Sequence, residues 1–197
     1  MGLFDKFKSK SHVDFFEKYK PSEDCVKPKA EILNACKSSG FPDELITFIS
    51  KYGFGNYGNG IIKIVNPEDY MSGLYTWLGK EDFSKIPFMI TGFGDIFYFR
   101  NLGDNEYDIS LLDIHYRNIT VPAYSFEEFL SYITSPETEE KVLRKELFES
   151  ATQKFGELSA EEIFFFVPAL VLGGAENIKY IDKGKADVHH HVLFQMN

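Results

Sequence analysis

The segment from Gly53 to Gly58 (GFGNYG) matches the pattern G-x-G-x-x-G, which binds the phosphates of dinucleotides. That function requires a strand before the glycines and a helix after them. Here the order is reversed, because a predicted helix precedes the glycines and a predicted strand follows them. We therefore predict a helix-to-strand turn, in which glycine supplies unusual backbone angles. A ligand pocket formed by Gly55, Tyr57, Gly58 and Asp95 stays open as an alternative.

Histidine and cysteine are the residue types that most often bind transition metals. Adjacent side chains on a helix point about 100° apart, so His189, His190 and His191 cannot all bind one ion. Cys25 and Cys36 are eleven positions apart and form no CxxC pair, which argues against a zinc site. We predict no metal and no cofactor.

Signatures of nucleophilic catalysis are also missing from the sequence. There is no GxSxG motif, and neither cysteine has a histidine in a recognisable nucleophile signature. The usual hydrolase signatures are therefore absent. An enzyme of unrecognised type remains an alternative.

The acidic residues are the remaining candidates for function. The 197-residue chain has 21 Lys and Arg against 30 Asp and Glu, for a net charge of −9. Residues 101–162 hold 14 of the acids and 5 of the bases, so the whole excess lies in this acidic stretch. An acidic surface repels phosphate backbones and favours a cationic partner. We predict that the chain binds no nucleic acid directly.

Two groups of acids within this stretch are candidate partner contacts. Asp104, Glu106 and Asp108 flank a predicted turn between strands, and three glutamates follow a predicted helix start. The alternative is that these acids cap helices and keep the protein soluble. The three glutamates are Glu137, Glu139 and Glu140.

Four pairs of adjacent acids along the chain could also be interpreted as paired catalytic carboxylates. Three of them lie at or near predicted helix N-termini, where negative charge complements the helix dipole. A structural role is therefore predicted for them. The pairs are Asp43-Glu44, Glu68-Asp69, Glu81-Asp82 and Glu127-Glu128.

The composition predicts a folded protein outside the membrane. The chain contains 20 Phe and 11 Tyr, whereas disordered chains have few aromatic residues. No apolar run reaches the roughly 18 residues of a membrane span. The first ten residues lack the apolar core of a signal peptide, and Lys6 stands where a myristoylation signal needs Ser or Thr. We expect a cytoplasmic protein with reduced thiols.

Apolar spacing and helix-start residues predict helices and strands in the first 120 residues. Asn66 is expected to cap the fourth helix, and Trp77 to pack into the core on the same helix. The predicted helices are Val13–Tyr19, Lys29–Lys37, Pro42–Tyr52 and Pro67–Leu78. The predicted strands are Ile61–Val65, Phe88–Ile90, Asp95–Arg100 and Tyr107–Ile114.

The pattern changes after Pro122, where helical spacing dominates. Ser125 and Glu128 form a capping box. A long helix is predicted from Ser135 to Phe155, and Ser159 with Glu162 repeats the capping pattern before Ile163–Val171. A strand at Ile178–Ile181 and a final amphipathic segment at Ala186–Met196 follow. The prediction is an α+β protein, in which N-terminal helices pack on an antiparallel sheet (1–122) and a mainly helical unit follows (123–197).

Several of these stretches together resemble a known family. Phe41–Gly60 (FPDELITFISKYGFGNYGNG), Ile64–Tyr70 (IVNPEDY) and Ile90–Phe99 (ITGFGDIFYF) resemble the GAD-like domain. Leu147–Gly174, with the block FVPALVLGG, and Ala186–Gln195 resemble the companion C-terminal domain of the immunity proteins of type VI secretion DNase toxins.

The resemblance implies a function without catalytic residues. Such a protein binds a cognate toxin, expected to be a basic nuclease, and blocks its activity stoichiometrically. The acidic stretch would then face the basic surface of the toxin. A small-molecule or nucleotide-binding regulatory domain is the alternative from a different class.

Overall fold

The computed structural model describes residues 10–196. The predictions about an N-terminal signal or acyl group fall on residues outside this range. The helices are α1 Lys10–Lys18, α2 Ala30–Ser38, α3 Asp43–Tyr52, α4 Pro67–Leu78, α5 Phe126–Ile133, α6 Pro136–Lys141, α7 Lys145–Phe155 and α8 Ala186–Gln195. The strands are β1 Gly55–Tyr57, β2 Ile62–Ile64, β3 Lys85–Thr91, β4 Ile96–Gly103, β5 Glu106–Asp113, β6 Asn118–Ala123, β7 Glu162–Phe166 and β8 Ile181–Lys185.

Strands β1 to β6 form an antiparallel sheet in which each strand pairs with the next along the chain. Successive side chains of a strand point to opposite faces, and β4 buries both. Phe97 and Phe99 face a core formed with α1, α3 and α5, whereas Ile96 and Tyr98 face a second core formed with α4 and α8. The sheet therefore lies between two helical layers, which confirms the predicted α+β class.

The residues after Pro122 complete the core of the sheet. Phe129 on α5 is buried and packs edge-on against Phe88 of β3, with ring centroids 5.4 Å apart. The backbone N–H of Phe164 on β7 donates to the carbonyl of Gly92 at 2.8 Å. Both parts of the chain thus contribute to one hydrophobic cluster. The division at residue 122, which falls within β6, stays a prediction.

Several local predictions are confirmed. Helix α3 ends at Tyr52, directly before Gly53, whose φ of 92° favours glycine, and the chain then enters β1. Three of the acidic pairs lie in the first turns of α3, α4 and α5. The Ser125 hydroxyl caps α5 by accepting from the N–H of Glu128 at 3.1 Å. Asn66 occupies the N-cap position of α4, but its side chain does not cap the helix.

The long helix predicted from Ser135 to Phe155 is wrong. Helix α6 ends at Lys141, and Arg144 takes left-handed angles (φ 49°, ψ 47°) before α7 begins. Leu143 and Arg144 are both buried, at 0% and 4% exposure. Burying these two adjacent side chains against different partners interrupts the helix.

The helix predicted at Ile163–Val171 is also wrong, because Glu162–Phe166 is strand β7. It pairs antiparallel with β8, which begins where the predicted strand Ile178–Ile181 ends. The N–H of Ser159 does donate to the Glu162 carboxylate at 3.0 Å, yet this contact leads into a strand. Strand pairing and burial of the aromatic side chains outweigh the local capping signal. The short strands β1 and β6 were not predicted.

Candidate functional site

Four of the six predicted partner-binding acids are exposed. Asp104 and Glu106 lie at the turn between β4 and β5, and Glu137 and Glu140 lie on α6. The N–H of Phe126, at the start of α5, donates to the hydroxyl of Tyr107, next to the turn. Helix α6 follows the other end of α5, which is 8 residues long and spans about 12 Å. The four exposed acids therefore form two groups, one beyond each end of α5.

Asp108 is 1% exposed and cannot reach a partner protein. The guanidinium of Arg100 binds both of its carboxylate oxygens, and the hydroxyl of Ser110 donates to it at 3.0 Å. Asp108 and Arg100 face each other across the β4–β5 pair. This carboxylate therefore stabilises the sheet.

Glu139 is also occupied by internal partners, and its side chain is 13% exposed. Lys18 and Lys145 bind it at 3.1 and 3.2 Å, and the hydroxyl of Tyr19 donates at 3.1 Å. Burial acts to raise the pKa of Glu139, but the hydrogen bonds from Lys18 and Lys145 outweigh it and lower the pKa. Glu139 thus joins α1 to α6 and α7.

The alternative ligand pocket is not formed as one site. Tyr57 is buried and donates its hydroxyl to the carbonyl of Gly53 at 2.8 Å. The ring of Tyr19 covers Gly58, since a Cβ there would lie 2.8 Å from it. Gly55 lines an open groove of about 680 Å³, whereas Asp95 is buried elsewhere. The groove has basic and acidic side chains on its walls, namely Lys27, Lys29, Lys185, Asp24, Asp69, Glu161 and Asp187.

Asp95 belongs instead to a buried ion network around Arg144, which sequence reasoning missed. The guanidinium is 3% exposed and binds Asp95 at 2.7 Å, Glu176 at 2.7 Å and Asp113 at 3.6 Å. Burial acts to lower the pKa of Arg144, but the charge of Asp95 and the hydrogen bond with Glu176 raise it. Burial and the charge of Asp95 raise the pKa of Asp113. The network joins the strand ends to the α6–α7 junction.

Asp95 of this network and two buried histidines, His115 and His190, fix the turn Thr91–Asp95 at the end of the sheet. The N–H of Ile114 donates to the Asp95 carboxylate at 3.1 Å. Nε2 of His115 lies 2.8 Å from the carbonyl of Phe93, and Nε2 of His190 lies 2.7 Å from that of Gly94. Each Nε2 must carry the proton, because a carbonyl only accepts. Burial lowers the pKa of both histidines to about 4, so they are neutral at pH 7.

The three consecutive histidines point in different directions, as predicted. His190 is buried in the turn contact, His189 stacks on Phe165, and Nδ1 of His191 faces the carbonyl of Asp187. No cluster of metal-binding side chains occurs among residues 10–196. Trp77 is partly buried and donates its indole N–H to the carbonyl of His190 at 3.0 Å. Its role is therefore to hold α8 against α4.

Apolar side chains are exposed next to the Arg144 network, around the block FVPALVLGG. The backbone N–H of Val167 donates to the carbonyl of Tyr180 at 2.6 Å. Tyr116 is also exposed, and burial together with the nearby Glu176 carboxylate raises the pKa of its hydroxyl. The exposed side chains are Tyr116 (60% exposed), Val167 (52%), Val171 (43%), Leu172 (57%) and Tyr180 (41%). The apolar run was visible in the sequence, but its exposure was not.

Comparisons with known proteins identify two families and one fold. Residues 11–112 match the GAD-like domain, and residues 123–197 match the family described as T6SS immunity protein Tdi1, C-terminal. The crystal structure of Atu4351 from Agrobacterium tumefaciens is similar, with a TM-score of 0.73 and 16% identity, over 93% of this chain and 88% of that one. At that identity the likeness concerns the fold.

A search of proteins with curated descriptions returned no match. Within the described residues, no helix is long and apolar enough to cross a membrane.

Proposed function

The chain belongs to the GAD-like domain family, and we propose that it is a type VI secretion immunity protein that neutralises one cognate toxin, a DNase, by stoichiometric binding. The observation that carries this proposal is the match of residues 123–197 to the C-terminal family of the immunity protein Tdi1. That match follows the GAD-like match directly along the chain. Both parts thus occur in the order expected for such a protein.

Charge supports a basic protein as the partner. A nuclease that grips phosphates needs a basic surface, and this chain has a net charge of −9. Asp104, Glu106, Glu137 and Glu140 are exposed at the two ends of α5. Complementary charge raises the association rate, and the same acids keep DNA away from the shared surface.

The proposal assigns no reaction to the chain. The polar groups at the centre of the buried network have internal partners, since Arg144 binds Asp95 and Nε2 of His190 donates to the carbonyl of Gly94. Gly55, Tyr57, Gly58 and Asp95 share no pocket, so we do not propose the alternative of a ligand-binding regulatory domain.

The test is a binding measurement with the toxin encoded by the neighbouring gene, inactivated by substitution in its active site. We expect a one-to-one complex by size-exclusion chromatography with light scattering. The wild-type toxin should lose its nuclease activity once one equivalent of this chain is added. If the two proteins do not bind each other, the proposed function is wrong.

Charge reversal of the four exposed acids tests the electrostatic part of the proposal. We expect Asp104, Glu106, Glu137 and Glu140, all changed to Lys, to slow association at least about tenfold at low salt and to flatten its salt dependence. Stopped-flow fluorescence at several salt concentrations measures both effects.

A matched variant separates local charge from net charge. It reverses four exposed acids outside the acidic stretch, Glu23, Glu31, Glu68 and Glu81, and so changes the net charge by the same amount. We expect it to slow association much less. Equal rates for the wild type and the first variant would contradict the proposed role of the acids.

A further inference from the structure

We propose that β6 (Asn118–Ala123), the last strand of the six-stranded sheet, binds an extended segment of the toxin as an additional strand, an inference that rests on the proposed function. In such a complex main-chain hydrogen bonds supply affinity, and contacts with alternate side chains supply specificity. The occupant is a strand of a basic protein whose backbone groups on one side are free.

The first argument is that the chain covers one edge of the sheet and leaves the other open. At the β1 edge, Phe54 and Val26 exchange N–H to carbonyl hydrogen bonds at 2.7 and 2.8 Å. Within residues 10–196, no backbone hydrogen bond joins β6 to any segment except β5. Alternate residues of an antiparallel strand direct their N–H and C=O groups away from its neighbour. The outer side of β6 is therefore a template for a further strand.

The second argument is that most of this edge lacks the usual protection. Proteins protect open edges with charged side chains, proline or irregular pairing. Asn118–Val121 contains no charged residue, and Ile119, Thr120 and Val121 are β-branched, which favours extended backbone. Pro122 and the shift in register with β5 protect only the C-terminal end of β6. Residues 118–121 can therefore pair with an incoming strand.

The third argument concerns the side chain of Ile119. It lies directly opposite Leu112 of β5, so the two side chains share a face of the sheet. Leu112 is 2% exposed in the core formed with α4 and α8, whereas Ile119 is 46% exposed. A strand paired with β6 would cover Ile119 and extend this core, so we expect an apolar residue at the facing position of the toxin.

Charge favours the toxin over a second copy of this chain as the occupant. Two copies with a net charge of −9 each repel one another, whereas a basic nuclease is attracted. A pair of identical β6 strands would also contain Pro122 twice, and proline has no N–H to donate.

Hydrogen exchange tests the backbone pairing in the wild-type chain. Amide exchange is measured by NMR with and without the inactivated toxin of the neighbouring gene. We expect the N–H groups of Asn118–Val121 that point away from β5 to exchange about tenfold or more slowly in the complex. The control is Phe54, whose N–H already donates to Val26 and should change less than about twofold.

Two matched substitutions test the same edge independently. Ile119→Asp places a charge on the open edge, and Val13→Asp places one at an equally exposed β-branched position on α1 (47%). Added negative charge favours binding to a basic toxin, so weaker binding of Ile119→Asp is attributable to the edge itself. By surface plasmon resonance we expect Ile119→Asp to weaken affinity about tenfold or more and Val13→Asp to change it less than about twofold.

Three results would overturn the inference, and they differ from one another. If the toxin binds but exchange at residues 118–121 is unchanged, or Ile119→Asp binds as tightly as the wild type, the docking edge is wrong and the proposed function stands. If the toxin does not bind the wild type, both proposals fall. If the isolated chain sediments as a dimer in which these amides are already protected, a second copy covers the edge instead.

Folding of the variant is checked separately. Nearly half of the Ile119 side chain is exposed, so circular dichroism and thermal unfolding of Ile119→Asp should stay close to the wild type. If the variant does not fold, the exchange measurement on the wild-type complex decides the proposal by itself.

Discussion

Lys63 is a charged side chain in the interior, with 1% of its surface exposed. It lies on β2, and its ammonium group donates to the side-chain carbonyl of Asn56 and to the backbone carbonyl of Ser159, the latter at 2.8 Å. Asn56 itself donates to the carbonyl of Leu158 at 2.9 Å. Two neighbouring side chains of the sheet thus bind the segment that leads into β7.

Burial lowers the pKa of Lys63 to about 7, from the ordinary 10.5 that the unfolded chain retains. Between these values the unfolded state binds more protons than the folded state, so the free energy of unfolding rises with pH. We expect a rise of roughly 2 kcal/mol between about pH 7 and pH 8.5 that Lys63→Met abolishes. Urea unfolding over this range measures it.

The control for this prediction is Lys37→Met, at an exposed position on α2. It should keep the pH dependence of the wild type. A wild-type stability that does not change with pH, or the same slope in Lys63→Met, would show that Lys63 keeps its ordinary pKa in the folded protein.

At the scale of elements, the junction between α6 and α7 places Arg144 in the core. Arg144 takes left-handed backbone angles that a continuous helix excludes. Its guanidinium then reaches Asp95 beyond the end of β3 and Glu176 after β7. The break between α6 and α7 therefore positions Arg144 so that its side chain connects the sheet with the loop that contains Glu176.

Replacing Arg144 by Met should destabilise the protein by about 3–5 kcal/mol, because Asp95 would remain buried without a cation. Chemical denaturation measures the loss. Lys141→Met removes an exposed ion pair with Glu137 on the neighbouring helix and should have no measurable effect. A loss below about 1 kcal/mol for Arg144→Met would mean that Asp95 finds another partner or takes up a proton.

At the scale of the whole molecule, the residues before and after Pro122 share one core. Phe164 on β7 is fully buried and packs against Phe93 of the sheet turn and Phe148 of α7. Leu193 and Ala186 of α8 lie with Leu74 of α4 on the opposite face of the sheet. The C-terminal residues thus cover both faces, and neither segment buries its apolar surface alone.

The shared core predicts that the chain unfolds in one transition. Phe164→Ala should lower the stability of the whole protein by about 3–5 kcal/mol, because it leaves a cavity between the two segments. Calorimetry should show a single peak at a lower temperature, with equal calorimetric and van't Hoff enthalpies.

The control is Phe83→Ala, at a position that is 69% exposed, which should shift the peak little. A second peak that stays at the wild-type temperature in Phe164→Ala would show that the two segments unfold independently.

Local sequence determined the elements whose signals lie within a few residues. Helix α4 begins at Pro67 and ends at Leu78 as predicted, because its first residue and its apolar spacing are local features. The turn at Gly53 and the cap at Ser125 are local in the same sense. The motifs of the GAD-like domain and of the immunity family are likewise carried by short stretches of sequence.

Tertiary structure alone decided which charged and apolar side chains are free to meet a partner. Asp108 lies in the same acidic segment as Asp104 and Glu106, yet its side chain is buried and forms an ion pair with Arg100 on the adjacent strand. Arg144 interrupts the long helix predicted from local spacing and binds partners on distant segments, and Leu172 is exposed although it lies in an apolar run. Burial and ion pairing depend on contacts between residues far apart in the chain, and local spacing carries no record of them.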